Sequence, residues 1–232
     1  SVKGVILAAA ILVVAVLAIT LVVLFNTAER KIPVQYAKRV VGRKMYGGQS
    51  TNIPIKVVMG GVMPIIFASS IMAFPATIVR LVSGGNLPTS GVWLHVLGCL
   101  SAGLSTKWWT YLVYAVLYFL LIIFFTYFYS SIQFNPIELA NNMKKSGGYI
   151  PGYRPGKPTS DFISKVASRL NFAGALFLGV IAVLPIVVGA IFGIRGLQIG
   201  GTSLLIMEGV ALETVQQIES LMVMRHYKGF LE

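Results

Sequence analysis

Acidic side chains are scarce in this chain: 7 Asp and Glu stand against 19 Lys and Arg in 232 residues, a net charge of +12. Cysteine is nearly absent. Cys99 is alone, which excludes a disulfide framework. The two histidines, His95 and His226, lie far apart with no carboxylate or thiol at ligand spacing, so no metal site is expected. There is no phosphate-cradling glycine loop, no nucleophile elbow and no paired His/carboxylate spacing on a helix. The chain is therefore not expected to be an enzyme, and no cofactor is expected.

Charge of either sign is missing altogether from four stretches, residues 4–28, 57–79, 108–137 and 170–194. Each exceeds the ~20 apolar residues that a helix needs to cross the roughly 30 Å hydrocarbon core of a bilayer. In water such segments would need burial on every side. In lipid, a helix satisfies its own backbone and the bilayer solvates the rest. A mean hydropathy of +0.81 and 56% apolar residues agree, and exclude an ordinary soluble domain or a disordered chain. The composition reads as an all-α polytopic membrane protein.

In a soluble protein a charge of +12 would point to nucleic acid, but here its distribution is more informative. Seven basic residues (Arg30, Lys31, Lys38, Arg39, Arg43, Lys44, Lys56) lie between the first two apolar stretches, and six (Lys144, Lys145, Arg154, Lys157, Lys165, Arg169) between the third and fourth. The opposite side receives Lys3, Arg80, Lys107 and Arg195. The positive-inside rule then places loops 29–56 and 135–169 in the cytoplasm and loop 83–107 outside. The N-terminus falls outside, and the tail with Arg225 and Lys228 inside. That parity needs an odd number of crossings, so a fifth span is expected at 197–222, although Glu208, Glu213 and Glu219 interrupt it. A charge within a span costs about 2.5–3.5 kcal/mol on insertion scales, so this helix should face protein rather than lipid. The expected spans are 4–25, 57–82, 108–132, 170–193 and 197–222. The first is too long for a signal-peptide core and lacks a basic stretch before it, so it reads as a span rather than a leader. An opening Ser in place of Met points to a processed or truncated product.

Trp93, Trp108 and Trp109 suit headgroup level around the external loop. Both cytoplasmic loops are longer than topology control alone requires. The first mixes a basic helix-like segment, whose period puts Lys38, Arg39 and Arg43 near one face, with a Gly47-Gly48 turn and an extended end before Pro54. The second carries Pro136, Pro151, Pro155 and Pro158 together with glycines, which would hold Arg154 at the tip of a constrained projection.

Four motifs, ERKIPVQYAKRVVGRKMYGGQST (29–51), PIIFASSIMAFPATI (64–78), YIPGYRPG (149–156) and GGTSLLI (200–206), closely resemble the bacterial SecY family of protein-translocation channels. They occur in the family's order, and the resemblance is to its C-terminal half, the sixth to tenth helices. It implies five transmembrane helices forming one half of a pseudo-twofold, ten-helix channel, an inverted-repeat architecture known among membrane transport proteins. Ile66 and Ile206 match positions of the apolar pore constriction, where bulky aliphatic side chains can seal around a passing chain and limit ion leak. Packing or lipid contact would otherwise be the ordinary role of either residue. Ser69, Ser70 and Phe74 fall in a helix resembling one wall of the lateral gate, and 109–132 resembles another part of it. Lys38, Arg39, Arg43 and Lys44 match positions implied in ribosome contact, where they would meet RNA phosphates. Arg154 matches the arginine implied in engaging the SecA motor. Glu213 matches an acidic position of the family, whereas Glu208 stands where an aliphatic residue is usual.

The implied partners are the N-terminal half of SecY, SecE, SecG, SecA, the ribosome, signal sequences and nascent polypeptides, in a bacterial cytoplasmic membrane. Two further readings stay open: half of an inverted-repeat small-solute transporter, and a non-conducting membrane docking protein that uses its basic loops alone.

Overall fold

A computed structural model describes residues 2–36, 39–41, 44–46, 50–82, 97–100, 108–192 and 197–228. Its long helices are α1 (Val2–Thr27), α2 (Met63–Val82), α3 (Trp108–Gln133), α5 (Lys157–Phe192) and α6 (Leu197–Lys228), with a shorter α4 (Pro136–Lys145). The strands among the described residues are short: β1 (Glu29–Tyr36), β2 (Arg39–Val41), β3 (Lys44–Tyr46), β4 (Ser50–Lys56) and β5 (Gly148–Tyr149). Among the described residues, three helical stretches, Met63–Val82, Trp109–Lys145 and Lys157–Ala190, are long and apolar enough to cross a membrane, and Ala15–Thr27 of α1 is a shorter apolar one. α6 carries Glu208, Glu213 and Glu219 along its length. The external loop falls almost wholly outside the described residues, Trp93 included.

Packing divides the chain into two units. One comprises Ser1–Leu24, Gly61–Phe125 and Phe177–Glu232; the other comprises Phe25–Gly60 and Thr126–Leu176. The first unit is helical. Along its part of α3, Leu112, Val113, Val116, Leu120 and Phe124 are exposed, whereas Ala115, Tyr118 and Ile122 are buried. A helix in water would turn such a stripe inward; one in lipid need not. α3 meets α5 where Phe119 lies on Gly179, so closely that a Cβ there would sit 2.5 Å from the ring.

The second unit is built on strands. β1 pairs antiparallel with β4 over its length, with Ile32 opposite Ile53, and β5 joins at Gln35 and Tyr36, giving the order β4-β1-β5. Residues alternate along β1: Lys31, Pro33 and Gln35 face out, while Ile32 and Val34 are buried. Ile32, Val34 and Ile55 form a core with Met143 of α4, Ile150 after β5 and Ile163 of α5. Each such side chain contributes about 1.5–3 kcal/mol of burial. Helix α4 is set by its own start. Asn135 caps it, its Oδ1 accepting from the N–H groups of Ile137 (3.2 Å) and Glu138 (3.3 Å), and Pro136 stands in the first turn, where no donor is needed.

The helix-like segment expected in the first basic loop is instead strand. β2 and β3 pair antiparallel, with Arg39 opposite Tyr46, Val40 opposite Met45 and Val41 opposite Lys44. Val40-Val41 is a β-branched pair, stiff at χ1 and suited to a pleated ladder. The 3.6-residue period that grouped Lys38, Arg39 and Arg43 on one face therefore does not apply.

Candidate functional site

Each unit holds one candidate site. In the helical unit, α2 and α6 pack together, and a glycine of α6 stands against Val62, the residue before α2. A Cβ on Gly209 would stand 2.6 and 2.8 Å from the two Cγ atoms of Val62, so only glycine fits at this spacing. Val62 caps the first turn of α2, its carbonyl accepting from the N–H groups of Ile65 (3.1 Å) and Ile66 (3.2 Å). Ile66 lies one turn beyond Val62, and Ile206 lies three residues before Gly209. Both isoleucines thus flank the contact on its two helices. Both are half-buried, as befits side chains with one flank packed and the other free.

Ser69 and Ser70 follow on α2. Their hydroxyls both donate to the Ile66 carbonyl, at 2.9 and 2.7 Å. Such back-bonding satisfies a hydroxyl inside an apolar span without a partner helix, and it bends the helix that carries it. Pro75, inside α2, cannot donate to the Ile71 carbonyl, which leaves one gap in the backbone ladder. Phe67 stacks on Phe125 of α3, ring centroids 5.7 Å apart. Phe74 is 64% exposed and shares a face with the exposed Phe67, Ile71 and Ile78. One side of α2 is thus packed through Pro64, Ile65, Ala68 and Met72, while the other is apolar and uncovered.

Glu208 stands where the resemblance expects an aliphatic residue. Both its carboxylate oxygens are buried with no hydrogen-bond partner among the described residues. Glu213 and Glu219 are exposed.

In the strand-built unit, Arg154 is exposed between β5 and α5. Gly152 (φ +89°) and Gly156 (φ +109°) bracket it in backbone conformations that a side chain would strain. The loop is tied down around the arginine. Tyr153 N–H donates to the Ile150 carbonyl (3.0 Å), the Thr159 hydroxyl donates to the Arg154 carbonyl (2.8 Å), and the Tyr153 ring packs on Phe162 at 4.3 Å. Tyr149 adds a hydroxyl donated to Gln35 Oε1 (3.0 Å), joining this loop to β1. The exposed Arg154 thus stands on a fixed backbone. Arg39 and Lys44 occupy register positions in β2 and β3; Lys38 and Arg43 lie outside the described residues.

Ile66, Ser69, Ser70 and Phe74 share α2, which meets the helix of Ile206. Sequence reasoning missed the glycine that sets this contact. Its signal was the Glu208-Gly209 step, a residue without a side chain beside the first carboxylate of the span.

Comparison with known proteins follows the same lines. A SecY family model matches residues 1–215. The chain is 48% identical over 234 residues to the protein translocase subunit SecY of Mycobacterium bovis, covering 99% of this chain and 52% of the relative. It is also 48% identical to the SecY subunit of Streptomyces galbus over 222 residues, 95% of this chain and 48% of that protein. A SecY structure concerned with the plug domain and the closed state of the translocation channel aligns over 91% of this chain and 48% of its own, with a TM-score of 0.59 at 20% identity. A structure described as a protein conducting channel aligns over 89% of this chain and 49% of its own, with a TM-score of 0.58 at 19% identity. The chain spans about half the length of the curated relatives it matches. With the family model covering nearly all of it, this chain belongs to the SecY family.

Proposed function

We propose that the chain is the C-terminal half of a SecY preprotein translocase channel, for secretion and membrane insertion of polypeptides. The observation that carries this reading is the α2–α6 contact at Val62 and Gly209, which sets Ile66 and Ile206 beside one another's helices. Two aliphatic side chains at such a seam can form part of a constriction that dewets or seals around a passing chain without gripping any particular sequence. The uncovered apolar face of α2, with Ser69, Ser70 and Phe74, serves as one wall of a lateral gate through which apolar segments reach lipid.

In this reading the strand-built unit is the cytoplasmic platform. Lys38, Arg39, Arg43 and Lys44 contact ribosomal RNA phosphates, and Arg154 engages SecA with the planar fork that Lys cannot reproduce. The spans are 4–25, 57–82, 108–132, 170–193 and 197–222 of a bacterial cytoplasmic membrane, with the N-terminus outside and the C-terminus inside. The N-terminal half of SecY, SecE and SecG complete the channel. SecA or the ribosome supplies the drive, so the chain itself needs no nucleotide and no catalytic residue.

Site-specific photo-crosslinking tests the pore assignment. A photoreactive side chain at Ile66 or Ile206 should label a polypeptide arrested in transit, and one at Val180, exposed on α5, should label lipid. Labelling from Val180 but from neither isoleucine would refute it.

A further inference from the structure

We propose that the Asn171–Gly174 face of α5 clamps the connector between β4 and α2, and so holds the gate helix in its resting state. The inference rests on the channel reading above and assigns Asn171 and Gly174 as positioning residues. The connector begins at Val57, directly after β4, and is held at three points within one unit. Val57 N–H donates to the carbonyl of Ala28, just past α1, at 3.0 Å. The Ser130 hydroxyl of α3 approaches Met59 Sδ at 3.5 Å. Gly174 of α5 presses on the connector backbone itself: a Cβ there would stand 2.6 Å from the Val57 carbonyl oxygen and 3.3 Å from its carbon. Val58 is buried beside it. A side chain facing a rotatable side chain can be accommodated by a rotamer change; one facing a main-chain carbonyl cannot, so the backbone must move.

The chain then continues through Gly60 and Gly61, the latter at φ +55°, into the first turn of α2. Glycines at such a position let the connector swing when the grip is released. Asn171 precedes Gly174 by three residues and so shares its face. It is 4% exposed, and its Oδ1 has no hydrogen-bond partner among the described residues. An acceptor left unmet in an apolar interior is costly. One helical turn before Gly174, it is the acceptor we assign to a connector amide once the connector has shifted. Gly174 therefore holds the resting position, and Asn171 receives the displaced one.

The test uses the chain co-expressed with the remainder of the channel. It reads export of a reporter lacking its signal sequence, export of the same reporter with its signal, and membrane abundance. Gly174→Ala should raise signal-less export at least about fivefold, the lower end of common coupling effects. Gly179→Ala is the control: it lies on the same helix, and its Cβ would meet the Phe119 ring rather than the connector. Asn171→Leu should leave signal-less export at the parent level and slow export of the signal-bearing reporter. Ser130→Ala loosens the connector without adding bulk and should act like Gly174→Ala, more weakly, even if the latter fails to accumulate. Equal behaviour of Gly174→Ala and Gly179→Ala, or no effect of Ser130→Ala where Gly174→Ala is not assembled, would overturn the clamp. An inactive parent channel would instead refute the channel reading, and the clamp with it.

Discussion

Gly209 offers the sharpest test of how α2 and α6 are spaced. Carbon atoms in contact prefer separations of about 3.5–4.0 Å, yet a Cβ at this position would stand 2.6, 2.8 and 3.2 Å from three carbons of Val62. About 1 Å must be found. Val62 is buried and β-branched, with few rotamers to escape into. The shift therefore falls on the helix spacing, at the overpacking cost of about 1–3 kcal/mol. Against this, Gly→Ala in a helix gains roughly 1 kcal/mol of propensity. That gain is common to the open and closed states, so it spares overall stability without restoring the closed state; Gly209→Ala is the milder perturbation and the bulkier Gly209→Leu the stronger. A loss of 1–3 kcal/mol from the closed state corresponds to about a 5- to 150-fold shift toward leak. Resting ion conductance of reconstituted channels should rise in the order parent, Gly209→Ala, Gly209→Leu. Val62→Ala, which removes both crowding Cγ atoms, should return Gly209→Ala to near the parent level, as expected for a directly coupled pair. If Gly209→Leu conducts no more than the parent, or Val62→Ala fails to compensate, the α2–α6 contact does not control the pore.

Replacing Ile66 and Ile206 by Gly should give resting ion leak in planar-bilayer recordings, and unchanged conductance would favour a docking protein without a pore. Arg154→Ala and Arg154→Lys should both reduce SecA-driven translocation several-fold while leaving the melting temperature within about 1 °C, because the exposed guanidinium adds little to stability; a fall in melting temperature that parallels the lost activity would contradict this. Ile163→Ala, at a core position, should cost about 2–5 kcal/mol, seen as faster proteolysis within residues 29–56 and 135–169. Binding of ribosomes to the channel should weaken steeply with salt, and neutralising Arg39 and Lys44 together should flatten the slope of log affinity against log salt by about 2.

Apolar length alone made the helices legible. A run such as 108–137 leaves a bilayer-spanning helix as the economical choice, and α3 follows it from Trp108 to Gln133. The strands were harder to see. β1 does alternate, Ile32 and Val34 against Lys31 and Gln35, but Pro33 sits within it and Pro54 within β4, and proline argues against a strand. The structure accommodates both near open edges: β4 is an outer strand, and β5 covers only Gln35 and Tyr36 of β1. Pairing across the intervening basic stretch is non-local, so no short window of sequence carries it. Helix α4 was legible in principle, because Asn135-Pro136-Ile137-Glu138 has the residues that begin a helix. For the constriction, the resemblance singled out Ile66 and Ile206. What only the structure supplies is the glycine–valine contact beside them, since a glycine in an apolar helix is ordinary until its neighbour is known.

Complementation tests the central claim most directly. The chain would be co-expressed with the matching N-terminal half of SecY, purified through a tag on one piece, and assayed for preprotein translocation in vesicles with SecA. The account predicts that the two pieces co-purify and restore translocation that neither supports alone. A chain that self-associates, ignores the other half and leaves translocation at background would contradict it.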